Sequence, residues 1–120
     1  MKGGEHKLIQ ISIDLPDANA AISSTLLEVS GWAIANRPIQ KISFFINGEF
    51  LGNATHGFRR DDVGAVFPNI PGSDLSGYKA IADLYPLMDL QRENVLKIEV
   101  FAENEHSFVE CPFRYALLDE

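Results

Sequence analysis

The residues whose types and spacing could do chemistry lie in one segment, Gly57–Tyr78, GFRRDDVGAVFPNIPGSDLSGY. Arg60, Asp62, Asn69 and Tyr78 offer a planar cationic donor, a carboxylate acceptor, an amide and an aromatic ring. Such groups hold sugar hydroxyls by hydrogen bonds and sugar faces by stacking. The same residues support a structural reading. The arginines can pair with Asp61, Asp62 or Asp74 and bond loop carbonyls, so that the segment plugs one end of a β-sandwich. That reading has the stronger physical claim, because a buried loop must satisfy its own polar groups before any ligand's.

No other constellation reads as catalytic. His6, His56 and His106 lack a second ligand at metal-binding spacing, and only His56 lies beside the segment. No serine sits in a G-x-S-x-G elbow. Asp61 and Asp62 are neighbours that point apart, whereas a glycosidase pair faces across about 5 to 10 Å. Trp32 could be a sugar platform, but a lone tryptophan in an apolar strand reads first as core. Cys111 stands alone, which excludes an intrachain disulfide and a multi-thiolate metal site. Beside Pro112 it reads as a small buried hydrophobe. No cofactor motif is present, and the chain is expected not to be an enzyme by itself.

The elements that must position these residues are strands. The 120 residues are one domain's worth, with 46% hydrophobic and 22% charged residues. Period-two alternation marks strands over Lys7–Asp14, Ser24–Ala35, Gln40–Ile46, Glu49–Ala54, Gly77 to about Leu84, Val95–Glu103 and Ser107–Leu117. Asn47-Gly48 between apolar runs predicts a type I′ hairpin. Gly31 before Trp32 predicts a bulge or a close backbone approach that could switch the inward face of its strand. Asp61–Phe67 predicts a short helical turn, capped by Asp61 or Asp62, with Val63, Val66 and Phe67 turned to the core. Pro68 ends it. Residues 84–90 fit a strand or a helical face equally. About seven short strands without a long helix make an all-β protein, an antiparallel sandwich or barrel.

Charge narrows the partners. The net charge is −7 and the pI about 4.8. Lys and Arg are scattered, so neither nucleic acid nor an anionic membrane surface is an expected partner. The chain shows no signal-peptide pattern and no apolar run of membrane-spanning length, which predicts no membrane insertion and a cytoplasmic location. The opening Met-Lys-Gly-Gly reads as the boundary of a module taken from a longer protein.

Five clusters in order carry a family resemblance: Gly31-Trp32-Ala33; Ile42, Phe44 and Ile46-Asn47-Gly48; Leu51-Gly52 and Ala54; Arg60, Asp62-Val63 and Phe67-Pro68; and Ser76-Gly77-Tyr78. Over roughly residues 8 to 115 the chain resembles bacterial immunoglobulin-like β-sandwich modules. These are similar to accessory domains attached to glycosyltransferases, methyltransferases and other enzymes of surface-polysaccharide assembly. Ile70 departs from an expected aromatic, and Asn104-Glu105-His106 replaces a glycine-containing turn. The resemblance implies a single non-catalytic domain over residues 1–120, with a buried Trp32 and an ordered loop from Arg60 to Tyr78. Its partner would be a glycan or an adjacent enzyme domain, and it carries over no catalytic residue. The competing reading is a spacer or dimerisation module without a ligand. A glycan binder should expose aromatic rings beside the loop. A spacer should bury Trp32 and Tyr78 and expose an apolar edge or face.

Overall fold

Alternation decides which side chains face inward. In the strand ending at Ala102, Leu96, Ile98, Val100 and Ala102 are all buried, while Val95, Lys97, Glu99 and Phe101 face out. The same rule over the other strands builds two sheets whose apolar faces meet. The computed structural model describes residues 9–84 and 93–115. Its strands are β1 (Gln10–Leu15), β2 (Ala20–Ile22), β3 (Leu26–Ile34), β4 (Ile39–Ile46), β5 (Glu49–Asn53), β6 (Thr55–Phe58), β7 (Gly77–Asp83), β8 (Glu93–Ala102) and β9 (Glu105–Tyr115). A six-residue helix, α1 (Asp61–Val66), and a 3-10 turn (Ser73–Leu75) lie between β6 and β7.

One sheet runs β1-β3-β7-β6 and the other β2-β9-β8-β4-β5. The first matches the A-B-E-D order of an immunoglobulin-like sandwich, and β9-β8-β4-β5 matches G-F-C-C′. The fold is therefore an all-β, immunoglobulin-like sandwich. It has more strands than the seven expected. Among the described residues, the extra strands β2 and β6 have three and four residues, too few to show a period. β2 also breaks the antiparallel scheme, since Ala20–Ile22 runs parallel to Phe113–Tyr115 of β9. The N-terminal segment thus edges both sheets, pairing with β3 as β1 and with β9 as β2.

Local chemistry sets the connections. Asn47 and Gly48 both take left-handed backbone, at φ 53° and 86°, as a type I′ turn requires. The last hairpin turns one residue earlier than expected, with Asn104 at φ 65° and β9 starting at Glu105. The question of strand or helix over residues 84–90 lies outside the described residues except for Leu84, which is buried.

β3 stays regular through Gly31, and Leu27, Val29, Gly31 and Ala33 all face inward without a switch. The irregularity sits across from it in β1. There the register jumps from Ile13↔Gly31 to Leu15↔Ser30 and leaves Asp14 bulged. Gly31 is instead a point of close approach. A Cβ there would lie 2.6 Å from the Tyr78 hydroxyl oxygen and would also strike the Ser12 carbonyl. The ring of Tyr78 crosses Gly31 and its hydroxyl donates to Ser12 O at 2.8 Å. Burial pushes the phenol pKa well above its ordinary value, so the group is a permanent donor.

Two substitutions test this seam by denaturant unfolding. Gly31→Ala should cost about 3 kcal/mol, the upper range for overpacking, because both of its clashes involve groups held in place. Tyr78→Phe should cost about 1 to 2 kcal/mol for the lost hydrogen bond and the stranded carbonyl. A near-neutral Gly31→Ala would show that β1 and β7 can separate, contrary to the packing described.

Candidate functional site

The Gly57–Tyr78 segment leaves the sheet at the end of β6 and returns at the start of β7. Arg60 is its hinge. The Arg60 side chain donates from Nε and one terminal nitrogen to both carboxylate oxygens of Asp62, at 3.0 and 2.9 Å. Its other terminal nitrogen donates to Asp14 Oδ2 at 2.8 Å. The bulge in β1 is what aims Asp14 at the guanidinium, as bulges commonly re-aim a side chain. The Arg60 backbone N–H donates to Asp74 O at 2.8 Å. The bidentate fork to Asp62 is the first cause of a raised Arg60 pKa, and the same bonds hold the Asp62 carboxyl below the usual carboxylate range.

The rest of the segment also bonds to itself. Ser73 is buried and its hydroxyl donates to Phe67 O at 2.8 Å. Backbone bonds from Ile70 to Phe67, Ser73 to Ile70 and Leu75 to Gly72 close the loop in short turns. Gly64 lets α1 pack onto the 3-10 turn, since a Cβ there would lie 2.8 Å from Asp74 Cβ.

Several expectations for this segment change. The N-cap position of α1 is Arg60, whose side chain makes no capping bond, and Asp61 and Asp62 sit in the first turn. Asp61 is held by Arg59 at 3.0 Å. Val63 is buried, but Val66 is 69% exposed because a helix of one and a half turns presents only one residue to the core. Tyr78, proposed as a stacking ring, is inside the sandwich at 1% exposure and cannot meet a ligand. Trp32 is half-buried rather than core, because its side of β3 faces out and is roofed by Phe67 at 5.8 Å between ring centroids. Asn69 is exposed on the loop. The four residues therefore do not converge on one point.

A concave site lies on the other side of the same loop. A cleft of about 360 Å³ opens between the β3–β4 connection, β6 and the 3-10 turn. Ala33, Ala35, Pro38, Ile39, Ile42 and Leu75 supply apolar wall, and Asn36, Arg37, His56 and Ser76 supply polar groups. Ser76 is 6% exposed, and its hydroxyl oxygen is buried without a hydrogen-bond partner. A buried hydroxyl without a partner is rare and costly. Arg37 stands at the rim in an exposed pair with Glu103 at 3.1 Å. Of this set, the sequence points to His56, beside the Gly57–Tyr78 segment, and to Ser76 only as a member of that segment; Asn36 and Arg37 carry no signal, because they come from a separate stretch of chain. Among the described residues no group of three His, Cys, Asp or Glu could hold a metal ion. Among the described residues no helix is long and apolar enough to cross a membrane.

No family model and no curated protein sequence matches this chain. Solved structures do share its fold. An endo-beta-1,4-mannanase from Thermotoga petrophila superposes with a TM-score of 0.65 at 13% identity, over 93% of this chain and 21% of the mannanase. An engineered protein superposes with a TM-score of 0.57 at 11% identity, over 90% of this chain and 20% of that one. The chain thus spans about a fifth of the length of these two neighbours, and the likeness is one of fold.

The Arg60 network yields a pH test. Asp62 has a lower pKa folded than unfolded, so its stabilisation is complete above the ordinary carboxylate range and is lost as pH falls through the folded value. In urea melts, Arg60→Met should be less stable than wild type at neutral pH, with the difference shrinking below about pH 4. A difference that stays constant down to about pH 2 would show that the fork contributes nothing.

Proposed function

We propose that this chain is a non-catalytic accessory module that binds carbohydrate in the cleft between the β3–β4 connection and the 3-10 turn. The observation that carries the reading is the buried, unpartnered Ser76 hydroxyl in the wall of a mostly apolar cleft. A concave, mostly apolar site with a few convergent polar groups is the usual form of a small-ligand site. A pyranose matches this lining. Its C–H face lies on Pro38 and Leu75, and its hydroxyls reach His56, Asn36 and the Ser76 wall of the cleft. The Arg60 fork is fully engaged within the protein and takes a supporting role, holding the loop that carries Pro71, Leu75 and Ser76.

The fold neighbours are compatible with an accessory role. A similar sandwich makes up about a fifth of a chain named for mannanase activity. The resemblance to modules beside bacterial surface-polysaccharide enzymes points the same way, with an adjacent enzyme domain as the natural companion. A buried lone Cys111, whose thiol pKa burial raises, suits a reducing cytoplasm.

Titration calorimetry with neutral oligosaccharides, chosen from a broad glycan array, tests the reading. Wild type should bind; Ser76→Ala should weaken binding by about tenfold, the value of one hydrogen bond to a buried group, and His56→Ala, at an exposed residue, should weaken it by less. Without ligand, Ser76→Ala should be as stable as wild type or more so, since it removes a hydroxyl whose desolvation costs about 1 to 3 kcal/mol. Failure of wild type to bind any arrayed glycan would sink the proposal.

A further inference from the structure

The outer face of the five-stranded sheet carries an unusual set of side chains for a surface exposed to water. Phe50 and Phe108 are 56% and 53% exposed, and Phe45 and Phe101 lie between them on β4 and β8. Lys97 Nζ sits 4.4 Å from the centroid of Phe45 and 5.4 Å from that of Phe108, and Lys41 Nζ sits 4.7 Å from that of Phe101. His106 stacks on Phe101 and places Nδ1 3.0 Å from Glu99 Oε2. The ammonium groups already cover ring faces, which leaves poor platforms for a sugar. They offer instead fixed positive charges to a partner with carboxylates.

The β8–β9 register supplies that partner. Directly opposite one another on this face are Lys97 and Glu110, Glu93 and Arg114, Glu99 and Phe108, Phe101 and His106, and Val95 and Pro112. Among the described residues neither charged pair closes into an ion pair within the chain. A two-fold axis lying in the face, along the strands and between β8 and β9, exchanges the two columns. It lays Lys97 over Glu110 of a second copy, Glu93 over Arg114 of that copy, and Val95 over its Pro112. Each complementary pair then occurs twice, as an isologous interface requires. On this face Lys41, Lys97 and Arg114 balance Glu93, Glu99 and Glu110, so the surplus behind the net −7 lies elsewhere and does not oppose contact here. The ten residues of β8 extend about 34 Å and four strands span about 19 Å, so the two copies together bury on the order of 1,200 Å², the lower end for a specific interface.

We propose that this face is the interface of a homodimer, with β8 and β9 of two copies packed sheet to sheet. The interface is independent of the cleft, which opens at the end of the sandwich.

Sedimentation equilibrium of wild type, Lys97→Glu, Glu110→Lys and the double swap tests it. Wild type should show a concentration-dependent dimer. Each single variant places like charges face to face and should weaken the dimer by at least about tenfold, and the double swap should restore it. Thermal melts confirm that all four chains are folded. A wild type that stays monomeric into the millimolar range would overturn the proposal, as would a dimer indifferent to the single substitutions. If the monomer instead binds glycan and loses it on Phe50→Ala with Phe108→Ala, the face belongs to carbohydrate and the dimer is wrong.

Discussion

Tyr78 lies across Gly31, and the four-stranded sheet depends on that contact. The two residues are register partners on β7 and β3, and the missing Cβ lets the phenol reach over β3 to the Ser12 carbonyl on β1. An edge strand holds by one ladder only, so a bond from the second strand over is disproportionately useful. It fixes where β1 sits, and therefore where the bulge at Asp14 points. The guanidinium of Arg60 meets Asp14 there and closes the connection between the edge of the sheet and the loop before β7. The 3-10 turn and the cleft hang from that loop.

This hierarchy explains why the charged groups of the polar segment are engaged within the protein. Its charged groups are consumed in order of proximity: Arg59 by Asp61, and Arg60 by Asp62 and Asp14. Surface pairs of this kind contribute little individually, but a bidentate fork with a third partner restricts geometry as well as energy. The unsatisfied chemistry lies at Ser76, where a hydroxyl oxygen is buried without a hydrogen-bond partner beside the cleft. The contrast between a saturated network and an orphaned hydroxyl separates the supporting loop from the proposed site.

Much of this fold was legible in the sequence. The β8 alternation, the Asn47-Gly48 turn and the exit of α1 at Pro68 are local effects, set by side-chain period and backbone sterics within a few residues. The Arg60–Asp62 pair was legible for the same reason, being two residues apart. Asp14 was not, since the contact spans 46 residues and requires a bulge that no local signal announces. β2 and β6 were too short to carry a pattern, and Val66 was misread because a six-residue helix shows the core a single side chain.

By itself, then, the sequence determined the seven longer strands, the all-β class and the self-pairing of the Arg-Arg-Asp-Asp run. These follow from composition, period and neighbours along the chain. The tertiary structure alone decided that Tyr78 is core and Trp32 is not, that Ser76 is orphaned, and that four phenylalanines and two lysines share one outer face. Each of those depends on which strands lie side by side. That order is set by burying two apolar faces against each other, a global condition that no single stretch of chain contains.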